Sequence, residues 1–174
     1  MAMGYVADEM RKLLDKKDPY DRAQLLGSKK YRSWLQELGI LDEYYRAIPH
    51  TWVTIRLPKD KEPEYYKDAL CDKLASVEWC QGGKAVFEEG GRPNPHIHLL
   101  LTEKRHRSNT VKRFAKLFGI PPQFVDHEVS DCLKHHANRE GYLRGDKVAA
   151  EKQEAVERDR VYREAHGIPH LVSF

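Results

Sequence analysis

Two histidines one residue apart, His96 and His98, stand in the run Pro95-His96-Ile97-His98-Leu99-Leu100-Leu101-Thr102. Alternate residues of an extended strand point to one face, so both imidazoles project together while Ile97 and Leu99 face the other way. Paired imidazoles suit a divalent ion, and a neighbouring acid would complete the set. Glu88 and Glu89 lie just upstream, across Gly90-Gly91-Arg92-Pro93-Asn94-Pro95, a stretch that must turn. If residues 84–88 pair antiparallel with the histidine strand, a carboxylate falls beside the imidazoles. Glu88 and Glu89 point to opposite faces, so only one of them joins the set. Two histidines and a carboxylate with open positions fit an ion that must also bind substrate oxygen, such as Mn2+ or Mg2+. The plain alternative is two polar residues on a solvated sheet face and two exposed acids entering a turn.

The elements that must position these residues follow from patterning. Residues 5–48 predict several short helices. Val6, Met10, Leu13 and Leu14 share a face, and a break follows at Asp18-Pro19. Leu25 and Leu26 precede a stop at Gly27, and Trp34, Leu35 and Leu38 lead to Gly39, a C-cap glycine. Residues 40–48 predict one more helix, stopped by Pro49. The character changes at His50, where residues 50–57 alternate and are rich in β-branched side chains, a strand that Pro58 ends. An amphipathic helix is expected over residues 64–74. Residues 77–80 and 84–88 predict two short strands, or one strand bent at Gly82-Gly83. After the histidine strand, Ser108 is expected to cap a helix to Phe118, ended by Gly119 and Pro121-Pro122. A short strand over residues 124–129 follows. Ser130 is then expected to cap a helix carrying Leu133, and the chain reads as mainly helical through Tyr142 to about His166. This order gives an α+β fold, an antiparallel sheet flanked by helices. We divide it into an N-terminal helical extension, 1–49, and a domain with a C-terminal helix, 50–174.

Composition narrows the class without naming it. The 174 residues are 40% hydrophobic and 33% charged, with a formal net charge of +3. That balance builds a core and a solvated surface, and any anionic partner must be held by a local basic patch. Cys71, Cys80 and Cys132 are odd in number and widely spaced, so they read as free thiols in a reducing compartment. The first ten residues contain no signal-like apolar stretch, and the longest apolar runs are far too short to cross a bilayer. A soluble intracellular protein with no membrane partner is expected.

Three segments, in order, resemble the HUH endonucleases, and within them the replication initiators (Rep proteins) of circular single-stranded DNA viruses and related plasmids. Trp52-Val53-Thr54-Ile55-Arg56-Leu57-Pro58 resembles the first family motif. Arg92-Pro93-Asn94-Pro95-His96-Ile97-His98-Leu99-Leu100-Leu101 resembles the second, the metal strand with its glutamate shortly upstream. Glu140-Gly141-Tyr142-Leu143-Arg144-Gly145-Asp146-Lys147 is similar to the third, a tyrosine nucleophile followed by a lysine. The likeness spans residues 50–147 and leaves the N-terminal helices unexplained. It implies an RRM-like antiparallel sheet with the histidines on a central strand and the tyrosine on a nearby helix. It also implies metal ligation by His96, His98 and Glu88, whose distance from the histidines resembles the family's, and attack by Tyr142 on single-stranded DNA at a replication origin. The product is a 5′-phosphotyrosine that starts rolling-circle replication. The family sets its lysine three residues after the tyrosine, where this chain has Gly145, so the assignment of the lysine's role to Lys147 departs from the pattern. Viral initiators of this kind carry a GxxxxGK[ST] loop and this chain has none, so a helicase domain or protein outside the chain is the implied partner. For a eukaryotic virus the implied location is the host nucleus.

Tyr142 is one of nine tyrosines; Tyr44-Tyr45 and Tyr65-Tyr66 fit packing on amphipathic helices better, and Tyr162 lies near the C-terminus. Lys104, Arg105 and Arg107, continuing to Lys112 and Arg113, form the densest basic cluster and follow the metal strand directly. With Arg144 they are the candidate DNA contacts, the alternative being a solvated helix face. His135 and His136, adjacent on a helix and about 100° apart, read as surface residues. Two other functions stand beside the leading one: a transposase or relaxase of the same superfamily, and a non-catalytic RRM-like nucleic-acid binder. The binder reading lacks the paired aromatics expected for base stacking.

Overall fold

The structure, a computed structural model, describes residues 2–89, 94–146 and 149–174. Its N-terminal part is four helices: α1 (Ala2–Asp15), α2 (Pro19–Leu26), α3 (Lys29–Glu37) and the single turn α4 (Leu41–Tyr44). The break at Asp18-Pro19 is a helix start. The Asp18 side chain accepts the Asp21 N–H at 2.9 Å and Pro19 occupies the first turn, where it has no intrahelical hydrogen bond to lose. Ser28 starts α3 in the same way, accepting from Tyr31 N–H. The helix expected over residues 40–48 shrinks to α4. Tyr45 turns extended, and the Ile48 N–H donates to Asp131 O at 2.8 Å, a tertiary bond that replaces a helical one ahead of Pro49.

The rest of the chain is built on β1 (His50–Arg56), β2 (Lys84–Glu88), β3 (His96–Thr102), β4 (Val125–Ser130) and the two-residue β5 (Val172–Ser173). They form one sheet in the order β4-β1-β3-β2-β5, every pair antiparallel. Between β1 and β2 runs α5 (Pro63–Asp68), which widens into a π-helical segment over Ala69–Lys73; between β3 and β4 runs α6 (Arg107–Phe118). Strand, helix, two strands, helix, strand is the split β-α-β arrangement. It realises the expected α+β class, an antiparallel sheet flanked by helices.

Period-2 alternation sorts the strands into two faces. Val53, Ile55, Phe87, Ile97 and Leu99 point to one side. There Tyr66, Leu70 and Leu74 from the first crossover and Phe114 and Phe118 from α6 close the main core. On the opposite side lies α7 (Leu133–Arg144), resting on a smaller apolar patch of Val86, Leu100 and Leu143 flanked by Trp52. The N-terminal helices enclose their own apolar cluster, including Met10, Leu14, Leu26 and Leu35, and Leu133 of α7 packs against it. Gln24 of α2 is hydrogen-bonded to Asn138 of α7. Gly27 at the end of α2 allows the close approach, since a Cβ there would overlap the Lys134 side chain of α7 and sit 3.3 Å from its Cβ.

Three local expectations are corrected. Residues 77–80 contain a 3-10 turn, Glu78–Cys80, rather than a strand. Ser108 lies inside α6, which begins after His106, and α7 begins after Cys132, although Ser130 Oγ does accept the Cys132 N–H at 3.0 Å. The chain is mainly helical through Tyr142 to His166, as expected, in two helices, α7 and α8 (Gln153–His166), because Gly145 at φ +74° closes α7 in a left-handed cap. Among the described residues no helix is long and apolar enough to cross a membrane. Cys71, Cys80 and Cys132 are free thiols.

Candidate metal centre and its tyrosine

The register of β2 on β3 sets Glu88 directly opposite His96 and Val86 opposite His98. Cross-strand partners face the same way, so the Glu88 carboxylate and both imidazoles leave the sheet together, on the side of α7. Glu88 Oε2 lies 2.8 Å from His96 Nε2 and 3.3 Å from His98 Nε2. One ligand atom from each of the three residues lies within 4.8 Å of the others. The imidazoles are almost entirely buried, at 1% exposure for His96 and 4% for His98.

Each ring is held from behind. His96 Nδ1 faces the Asn94 carbonyl at 3.2 Å, and Asn94 is itself pinned by its side chain donating to Leu57 O at 3.0 Å. A carbonyl only accepts, so Nδ1 carries a proton, and Nε2 faces Glu88, where it either shares a proton with the carboxylate or turns its lone pair to a cation. His98 Nδ1 meets Thr54 Oγ1 at 3.0 Å, and its ring stacks on Trp52 with centroids 5.3 Å apart and planes 16° from parallel. A lone pair facing a carboxylate at 2.8 Å calls for positive charge between them, a shared proton or a cation. Two imidazole nitrogens and a carboxylate oxygen meeting at one buried point form a donor set that suits a divalent cation. Burial pushes the Glu88 carboxyl up, but hydrogen bonds from His96 and His98 outweigh it and hold it well below the usual carboxylate range. Glu88 is therefore an anion at neutral pH, as a ligand must be.

Tyr142 reaches this cluster from α7. Its hydroxyl donates to Glu88 Oε2 at 3.1 Å and lies 3.4 Å from His98 Nε2. Its ring stands edge-on to Trp52 and to His98, at 5.9 and 5.0 Å between centroids. Residues from β1, β2, β3 and α7 thus meet at one point, with Trp52 as the wall that aligns both the imidazole and the phenol.

Of the two candidate carboxylates, Glu88 is the one at the cluster. Glu89 follows the end of β2, and its backbone N–H bonds to Asp159 of α8. Lys147 lies outside the described residues. Lys112 and Arg113 ride on α6, which packs on the sheet face opposite the imidazoles, and Arg113 lies over the Trp79 ring at 5.2 Å. Arg107 opens the same helix, exposed. Lys104 pairs with Asp131 at 3.0 Å, and Arg105 donates to the carbonyls of Trp79 and Thr102. None of these five is brought to the cluster. Arg144 shares α7 with Tyr142 and is paired with Asp146 at 2.6 Å and Glu140 at 3.8 Å.

Sequence reasoning missed a polar row beside the cluster. His50, 1% exposed, donates from Nδ1 to Ile48 O at 2.6 Å, and its Nε2 accepts from Arg139 at 2.9 Å; Arg139 also reaches Glu128 at 2.8 Å. His136, read above as a surface residue, packs edge-on against His50 at 5.0 Å, whereas His135 is exposed. Helical spacing carried the signal, since Arg139 sits one turn before Tyr142 and must share its face. No protein-family model, no curated protein and no solved structure matches this chain.

Proposed function

We propose that the chain is a metal-dependent single-strand DNA nicking and joining enzyme of the HUH type, acting as a replication initiator inside the cell. The observation that carries this reading is the phenol oxygen of Tyr142, poised 3.1 Å from Glu88 and 3.4 Å from His98 at a two-histidine, one-carboxylate cluster. A phenol with an ordinary pKa near 10 is a weak nucleophile at neutral pH and needs an activating neighbour. Glu88, His96 and His98 would hold one Mn2+ or Mg2+, which would polarise the scissile phosphate and stabilise charge on its oxygens.

In this reading Tyr142 gives up its hydroxyl proton and its oxygen bonds to phosphorus. The bond from phosphorus to the 3′ oxygen breaks, and that oxygen leaves as a hydroxyl after taking a proton. The product is a 5′-phosphotyrosine, and the reverse attack by the 3′-hydroxyl reseals the strand. The Tyr142–Glu88 hydrogen bond sets the phenol oxygen at the cluster, while Trp52 and Thr54 keep the His98 ring from turning. Lys147 takes the role of the family's lysine, neutralising the phosphate. The likeness of residues 52–58 and 140–147 to the first and third motifs of the viral initiators favours an origin-nicking initiator working with a helicase outside this chain over a transposase or relaxase.

The test is covalent capture. A labelled pool of single-stranded oligonucleotides with Mn2+ should give an SDS-resistant adduct with the wild-type chain, none with EDTA, and none with Tyr142→Phe. In the same assay Lys147→Ala should slow adduct formation by roughly tenfold. An adduct formed by the Tyr142→Phe chain would overturn the assignment of the nucleophile.

A further inference from the structure

β2 ends at Glu88, and its outer neighbour β5 pairs only with Lys84 and Ala85. Successive residues of an extended strand direct their N–H and C=O groups to opposite edges. Ala85, Phe87 and Glu89 therefore address the edge toward β5, and Glu88 addresses β3. Beyond Ala85 that edge has no strand beside it among the described residues. Two side chains of α8 take the strand's place. Arg163 Nη1 donates to the Phe87 carbonyl at 2.8 Å, and Asp159 Oδ1 accepts the Glu89 N–H at 2.9 Å. They stand four residues apart, on one face of the helix, and are 5% and 6% exposed. Buried charges persist only where hydrogen bonds and opposite charges meet them. Here both are directed at the carbonyl before and the amide after a single residue, Glu88.

We infer that Asp159 and Arg163 are positioning residues for the metal centre: they stand in for the missing strand and fix both peptide groups around Glu88, holding its carboxylate in register with His96 and His98. The inference rests on the metal centre proposed above. A pair that merely fastened α8 to the sheet would contribute to stability and leave metal affinity untouched, and that difference makes the two roles separable.

The full chain is titrated with Mn2+ by calorimetry and melted in EDTA. Asp159→Ala should weaken Mn2+ binding by tenfold or more, the range for losing a partner that orients a ligand. Asp159→Asn, whose amide oxygen still accepts from the Glu89 N–H, should stay within about threefold of wild type. An Asn variant as weak as the Ala variant would assign the loss to charge and overturn the strand-replacing role. A lower melting temperature in EDTA with unchanged Mn2+ affinity would overturn the inference as a whole. Should Asp159→Ala fail to fold, Asp159→Glu, which keeps the charge and displaces the carboxylate by a methylene, is titrated instead. The same tenfold loss is expected, and unchanged binding counts against the inference. A wild-type chain that takes up no Mn2+ removes the metal centre itself; a wild type that binds, with variants matching it, removes only the inference.

Discussion

The back of the sheet carries Val53, Ile55, Phe87, Ile97 and Leu99, fully buried against α6 and the first crossover helix. The front, one residue along the same strands, carries Trp52, Thr54, Glu88, His96 and His98 beneath α7. Both faces are covered, yet by opposite means. The back is closed by contacts that any well-shaped apolar side chain can make. The front buries imidazoles and a carboxylate, which cost stability unless each donor and acceptor is met. Both ring nitrogens of His96 and of His98 have partners: the Nδ1 atoms meet Asn94 O and Thr54 Oγ1, and the Nε2 atoms converge on one oxygen of Glu88. A fold that needed only a core could have repeated the back face; the front instead buries a polar cluster that could hold a metal ion.

That contrast breaks most visibly on the back. Phe114→Ala should cost about 3–5 kcal/mol of stability, as large-to-small changes at fully buried aromatics do, with Mn2+ affinity of the folded protein unchanged. Denaturant melts in EDTA read the first quantity and calorimetry the second. A variant that lost its metal without losing stability would show that the two faces are not separable.

The front face should respond in the reverse sense. Glu88→Ala should lower Mn2+ affinity by at least about a hundredfold, beyond the loss seen for ligand-orienting partners, at little cost in melting temperature. Glu89→Ala should be nearly silent. A greater loss in the Glu89 variant would mean that β2 pairs with β3 one residue out of the register described above, turning its whole side-chain set over.

The smallest effect sharpens the comparison at the rim. Burial holds the His50 imidazole below its usual range, against the hydrogen bond to Ile48, so it is neutral in the folded chain. The unfolded chain takes up that proton first as pH falls. Its contribution is therefore complete above about pH 6.5 and is lost as pH drops below that value toward the folded pKa. Burial also lowers His136, which adds to the slope. His50→Gln should lose less stability than wild type between pH 7 and pH 5. An equal loss in both would show that His50 is not the buried neutral group described.

Much of this site was legible in the residues. Alternation placed His96 and His98 on one face, and pairing residues 84–88 antiparallel with them put a glutamate across, because a strand's period and an antiparallel pairing are local facts; the turn expected over residues 90–93 lies outside the described residues. The choice between Glu88 and Glu89 was not local. It depends on register, which the resemblance supplied and the sheet pairing displays. The helix end at Gly145 lay inside a run read as mainly helical, although a left-handed residue after a helix favours glycine. The face on which the basic run after β3 would land was not legible either. Charge can be counted along a chain, but the side of the sheet on which α6 lands is set by its own Phe114 and Phe118 packing behind it. Asp159 and Arg163 gave no signal at all, because an exposed Asp and Arg four residues apart on a helix look the same in sequence as a buried pair.

The central claim is that one side chain, Tyr142, becomes covalently joined to DNA, and it can be located directly. The wild-type chain is incubated with single-stranded DNA and Mn2+, the adduct is digested with nuclease and trypsin, and the modified peptide is sequenced by tandem mass spectrometry. The nucleotide remnant should sit on Tyr142, in the peptide that begins at Glu140. A remnant on Tyr162 or any other residue, or a chain that binds Mn2+ and DNA yet yields no modified peptide, would contradict the account.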